Sequence, residues 1–166
     1  MNLDPGHRNT ERTTQKRRTM LTLRIEDEIF ALPVNGVQEI IDPLPVTIVP
    51  NADSFVQGLI NVRGSVVPVV SLRRRLDVSA TKHTKNTRIV VLEVPIADEL
   101  AKVALEADSV EQVIELADCA IEPVPEIGIG WPPRHLAGVA KRETGLIVLL
   151  RIESVFEPTL RPLASM

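Results

Sequence analysis

The chain has 166 residues, 44% apolar, 25% charged and 2% aromatic, with no Tyr, one Trp and one Cys. That is enough apolar material for one compact domain, or two small lobes sharing an aliphatic core of Val, Ile and Leu, and it excludes a chain too polar to fold. The formal charge of −3 divides into +3 over residues 1–18, where Arg8, Arg12, Lys16, Arg17 and Arg18 outnumber Asp4 and Glu11, and −6 over the remainder, which argues against a broadly basic nucleic-acid-binding body.

Residues 1–18 are polar, without periodicity and contain Pro5 and Gly6, so they are expected to be a disordered basic leader. No apolar stretch follows at signal-peptide spacing, and no run approaches the roughly 20 apolar residues of a membrane helix. A cytoplasmic protein is expected. Its lone Cys119 cannot form an internal disulfide and reads as a small buried core residue.

Leu21, Leu23 and Ile25 alternate with Thr22 and Arg24, the period of a half-buried strand, and Glu26-Asp27-Glu28 turns into a second strand over Ile29 to Leu32. Val34, Val37 and Ile41 recur at helical spacing. The reading is a short helical turn that hides those three side chains and points Glu39 outward, with Pro33 at its start. A strand follows over Val46 to Val49, then a turn carrying Phe55 and Val56, with Asp53 or Ser54 as its cap.

Residues 58–73 then give two apolar runs, Leu59 to Val62 and Val66 to Leu72, about an Arg63-Gly64-Ser65 break. Gly64 tolerates positive φ, so the runs pair as a hairpin that presents Arg63 at an exposed turn, able to fork onto a partner's carboxylate. Pro68 cannot donate to a ladder and places its strand at an edge or a bulge. Arg73-Arg74-Arg75 reads as a solvated turn, and residues 79–87 as a loop.

Ile89 to Val94 is a nearly continuous apolar run, a strand covered on both faces, and Lys102 to Ala107 alternates as the next strand. Val110, Val113 and Ile114 repeat the helical spacing of Val34 to Ile41, which suggests two similar halves. A short strand at Ile121 to Val124, a loop with Gly128, Gly130, Pro132 and Pro133, a hairpin of Leu136 to Ala140 with Leu146 to Ile152, and a terminal helix through Val155 and Phe156 complete the chain. Turn-linked strands at this spacing predict an all-β barrel or sandwich.

Signals for chemistry are weak. His7, His83 and His135 have no metal-ligand spacing with another His, Cys or carboxylate, so no metal is expected. Gly128-Ile129-Gly130 lacks a following helix start or Lys-Ser pair, and Ser65, Ser71 and Ser109 lack the context of a nucleophile. Asp108 and Glu111 are read as surface carboxylates at helical spacing, not as a catalytic pair. The chain is expected to be no enzyme and to need no cofactor.

The order of segments is more telling than any one of them. Val37-Gln38-Glu39-Ile40, Ile48-Val49-Pro50, Phe55-Val56-Gln57-Gly58, Asn61-Val62-Arg63-Gly64 and Pro68-Val69-Val70-Ser71-Leu72-Arg73 are followed by Thr87 to Glu93, Ala107-Asp108-Ser109-Val110, Ile121 to Pro125, Leu136-Ala137-Gly138-Val139 and Leu146 to Leu150. From Met20 to Phe156 this order resembles the CheW family of chemotaxis coupling proteins. Ser71 and Arg151 stand where that family usually has aspartate, Leu76-Asp77 replaces a usual Phe-Gly, and Ala104 stands where glycine is common.

The resemblance implies a mainly β fold, with two small SH3-like five-stranded β-barrels around a shared aliphatic core, short helical turns and a C-terminal helix. Residues 1–18 would be a tail, 19–158 the domain and 159–166 a second tail. It implies a non-enzymatic adaptor between the cytoplasmic tip of a chemoreceptor and the regulatory domain of a CheA-type histidine kinase. Val37, Glu39, Asn61, Arg63 and Gly64 map to the receptor-binding and coupling surface, and Ile29 and Val34 to the kinase-binding patch. A small β-barrel that binds nucleic acid through its basic tail and Arg73-Arg74-Arg75 is the alternative, opposed by the scarcity of aromatics for base stacking.

Overall fold

A computed structural model describes residues 16–125, 130–143 and 145–157. Its strands are β1 (Arg17–Ile25), β2 (Glu28–Pro33), β3 (Val37–Ile41), β4 (Val56–Val62), β5 (Ser65–Ser71), β6 (Arg88–Ile96), β7 (Glu99–Ala107), β8 (Ser109–Ala117), β9 (Ile121–Glu122), β10 (Leu136–Arg142) and β11 (Gly145–Leu150). Two short helices, α1 (Leu72–Arg75) and α2 (Ile152–Phe156), follow β5 and β11. One-turn 3-10 helices precede β3, β9 and β10.

The expectation of two similar halves holds. One sheet has the order β3-β6-β7-β5-β4 and the other β8-β1-β2-β11-β10-β9. In both, the third and fourth strands pair in parallel while their neighbours pair antiparallel. Thr47 bridges to Leu59 on β4 where β9 pairs with β10. The first sheet has the five strands foreseen; the second has six, because β9 adds a two-residue edge.

Each sheet keeps a small core of its own, and strand alternation sends the other side chains to a shared core. Ile60, Val62, Val67, Val69, Ile89, Val91 and Ala104 fill the first lobe, and Met20, Ala31, Ala140, Ile147 and Leu149 the second. Between the lobes, Leu21, Leu23, Val90, Leu92, Val148 and Leu150 meet Phe30, Phe55 and Phe156. Ala104 is fully buried in the first-lobe core, so the side of β7 it shares with the half-buried Lys102 and Glu106 is not an outward one.

Several local readings change. Residues 37–41 and 109–117 are strands, not helical turns: Val37, Glu39 and Ile41 are half-buried, Val37 against the shared core and Ile41, beyond a bulge, against the first-lobe core, while Gln38 and Ile40 are exposed. Three apolar residues cannot separate the two periods, and pairing of β3 with β6 and β8 with β1 decides for strand. The segment 46–49 contributes only the Thr47 bridge, and Ile121 to Val124 forms only the two residues of β9.

Pro68 sits in an interior strand, one residue before the parallel ladder with β7 begins at Val69, where its missing N–H costs no bond to that neighbour. Cys119 is exposed instead of buried. β1 starts at Arg17, inside the span assigned to the tail, and Arg18 pairs with Asp118 at 2.7 Å. Gly128 and Ile129 lie outside the described residues.

The two departures from aspartate occupy equivalent places, as N-caps of α1 and α2. Ser71 still caps, its Oγ accepting the Arg74 amide at 3.3 Å. Arg151 offers no side-chain cap. Arg151→Asp is therefore expected to stabilise the protein by about 1 kcal/mol, read as a raised urea midpoint; an unchanged or lowered midpoint would contradict the assignment of that cap.

Candidate functional site

The β4–β5 hairpin turns on Arg63 and Gly64 alone, with φ of 51° and 89°. Positive φ at both positions is the signature of a type I′ turn, the tight connection whose twist matches the flanking strands. Asn61 fixes it from inside: its Oδ1 accepts the Gly64 amide at 2.8 Å. The turn thus aims Arg63 off the end of β4.

Its guanidinium does not wait for a partner protein. Nε and Nη2 of Arg63 both donate to Glu39 Oε1, at 3.3 and 3.1 Å, and Nε donates to Oε2 at 3.1 Å. Because β3 and β4 are the two outer strands of the five-stranded sheet, this fork joins its two edges. The Arg63 side chain is 77% exposed and that of Glu39 only 23%, so the carboxylate is shielded beneath the arginine. The hydrogen-bonded Arg63 holds the Glu39 carboxyl below the usual carboxylate range.

The structure therefore brings Glu39, Asn61, Arg63 and Gly64 together, while the bulge between Val37 and Glu39 turns Val37 to the opposite side of β3, half-buried against the shared core. The other two candidates lie apart. Ile29 packs half-buried on the second-lobe core, and Val34 follows the far end of β2, about 16 Å away along an extended strand.

An exposed apolar side chain lies nearer the Arg63–Glu39 clasp. Val66 is 70% exposed and lines a groove of about 460 Å³ with Leu44, Pro45, Leu59 and Asn61. Leu146, the second residue of β11 as Val66 is of β5, is exposed too. Sequence reasoning missed these residues, since exposure of an apolar residue in a strand depends on pairing that no local pattern shows.

The arginine triplet is no solvated patch. Arg73 bonds Asp108 through two nitrogens, and Arg75 is buried over the Phe55 ring at 3.8 Å with Nη2 on the Ser154 carbonyl. Asp108 and Glu111, read as a surface pair, go separate ways: Glu111 takes Arg24 at 3.0 Å. Among the described residues no group of three or more His, Cys, Asp or Glu could hold a metal.

The CheW-like domain family matches residues 19–159. The chain belongs to that family. It is 32% identical to the chemotaxis protein CheW of Rhizobium meliloti (strain 1021) over 139 residues, 84% of this chain and 87% of the relative. It is equally identical to that of Bacillus subtilis (strain 168), over 83% and 86% of the two chains. The crystal structure of the scaffolding protein TtCheW from Thermoanaerobacter tengcongensis superposes with a TM-score of 0.75 at 26% identity, covering 86% of this chain and 94% of that one. The chemotaxis protein CheA of Klebsiella aerogenes is 32% identical over 72 residues, 43% of this chain and 11% of that relative's length.

Within this CheW-like domain, the Glu39–Arg63 clasp and the apolar groove beside it form one continuous exposed face of the first lobe, sharing Leu44 and Asn61.

Proposed function

We propose that this CheW-like protein is a non-enzymatic adaptor that couples the cytoplasmic tips of chemoreceptors to the regulatory domain of a CheA-type histidine kinase, on the cytoplasmic side of a receptor array. The observation that carries the reading is the clasp itself. A bidentate ion pair, three-quarters exposed on its cationic side, closes the edges of a small sheet next to apolar side chains that the fold leaves in water. Such a face offers charge for orientation and apolar area for affinity.

Glu39, Arg63, Asn61 and Gly64 form the coupling surface, and Val37 supports it from the core side of β3. Arg63 reaches a partner carboxylate only by sharing or leaving Glu39, which makes the pair a contact with two states. Kinase docking falls to the apolar strip of Leu44, Pro45, Leu59 and Val66, in preference to Ile29 and Val34, which no common face unites. The similarity to part of a CheA chain supports a kinase partner built on a related domain.

Capture of the purified kinase regulatory domain and of a receptor-tip fragment tests this directly. Wild type is expected to hold both in one complex. Val66→Glu, a change to an exposed side chain that leaves the fold intact, is expected to weaken kinase capture by about tenfold or more. Loss of nothing on Val66→Glu removes the strip from the interface. Steep salt-dependent binding of DNA without kinase capture would favour the nucleic-acid alternative, whose arginines at 73 and 75 the fold has already engaged.

A further inference from the structure

Among the described residues the chain passes between the two sheets at two places, the 3-10 turn Val34–Gly36 and Asp108, the single residue between β7 and β8. Asp108 is held on every side. Arg73 of α1 donates Nε to Oδ1 and Nη2 to Oδ2, each at 2.8 Å. The amide of Glu26, in the β1–β2 turn at a φ of 53°, donates to Oδ2 at 2.7 Å. Asp108's own amide donates to the Arg24 carbonyl at 3.1 Å.

Arg73 extends further through Nη1, to Glu26 Oε2 at 3.3 Å and to the Ser79 carbonyl at 2.7 Å. One guanidinium thus ties the helix of the first lobe, the crossover and the first hairpin of the second lobe. Its side chain is only 13% exposed. Burial raises the Asp108 carboxyl, but the bonds from Arg73 and the Glu26 amide outweigh that and hold it below its ordinary value, so the clamp stays ionised. Arg75, on the same helical turn, bonds the Ser154 carbonyl of α2 on the other lobe.

We infer that Arg73 is a positioning residue that sets the angle between the two lobes by clamping Asp108 and Glu26, and that this angle is needed for coupling, though not for binding either partner. The inference rests on the adaptor reading above. A planar fork fixes direction as well as charge, and a lysine at position 73 would supply only the charge. An adaptor whose lobes swing freely would still bind but would relay no geometry.

The test uses full-length protein with Cys119→Ser and spin labels at Leu100 and Lys141, exposed positions on the two lobes. Pulsed dipolar spectroscopy should give a narrow distance distribution for wild type and one at least twice as wide, as an order of magnitude, for Arg73→Ala and Arg73→Lys. Each variant should bind receptor fragment and kinase domain within about threefold of wild type, while kinase activation in reconstituted arrays falls about tenfold. An unchanged distribution overturns the inference, as does a loss of activation matched by lost binding. Should Arg73→Ala fail to fold, Glu26→Gln removes the exposed arm alone and must widen the distribution to a lesser degree; no widening overturns it. If wild type binds neither partner the adaptor reading fails, and the distance measurement still decides the clamp.

Discussion

Gly58→Ala is expected to destabilise the protein by about 3 kcal/mol or more, the largest effect of any single methyl addition at a glycine in the first lobe. Gly58 lies at the bulge between β4 and β5, at a φ of 144° that side chains rarely adopt. A Cβ there would come within 2.2 Å of the Thr47 carbonyl oxygen, 2.7 Å of Val46 Cγ1 and 2.9 Å of the Thr47 carbonyl carbon. Thr47 cannot retreat, because it exchanges two backbone hydrogen bonds of 2.8 Å with Leu59. Strain and overlap therefore add. Gly64→Ala makes the contrast: its φ of 89° is also strained, but nothing lies within 4 Å. Urea unfolding should rank Gly58→Ala well below Gly64→Ala, and equal losses would show that steric approach to Thr47 is not what keeps glycine at position 58.

The second large effect is on acid stability. His135 is fully buried, with Nδ1 against Ser154 Oγ at 2.8 Å and Nε2 without a partner among the described residues. Burial, with Arg75 and Arg134 nearby, pushes its pKa down from 6.5 to about 4. The native state thus binds fewer protons than the unfolded chain between those values, and stability must rise with pH across that window. Above pH 6.5 the full contribution is present; it is lost as pH falls towards 4. The gap corresponds to about 3 kcal/mol. Carboxylates held low by arginines, Glu39 and Asp108, add their losses only nearer and below their ordinary values of 4.5 and 3.8. Urea midpoints at pH 7, 6 and 5 should fall steadily for wild type and flatten for His135→Gln. A slope that survives the substitution would assign the titration elsewhere.

Much of the fold is legible in the sequence because it is written locally. The Arg63-Gly64-Ser65 break marks a hairpin, whose turn proves to be Arg63 and Gly64 alone, the nearly continuous run from Ile89 to Val94 marks a strand buried on both faces except at Glu93, and Val155 and Phe156 mark the last helix. Residues 37–41 mislead because the sequence VQEII satisfies both a helical and a strand period until β6 arrives to pair with it. The triple arginine misleads for a different reason. Its partners stand 35 and 47 residues away at Asp108 and Glu26, and 79 residues away at Ser154, so a charge run that reads as solvated becomes the rivet of the lobe seam.

The site shows the same division. The exposed turn that carries Arg63 follows from the Gly64 break and the grouping of Glu39 with it from the resemblance, but the fork between them follows from neither, since only folding brings the edges of the sheet together. Nor does local pattern reveal that Val66 is left in water beside it.

Kinase activation in receptor arrays reconstituted with Arg63→Glu, Glu39→Arg and the double exchange tests the central claim most directly. Each single change sets two like charges across the sheet edges and should lower activation by about tenfold or more, with native circular dichroism. The double exchange should restore the clasp and the fold without restoring full activation, because the charge shown to the partner is reversed. Wild-type activation by either single variant would contradict the account.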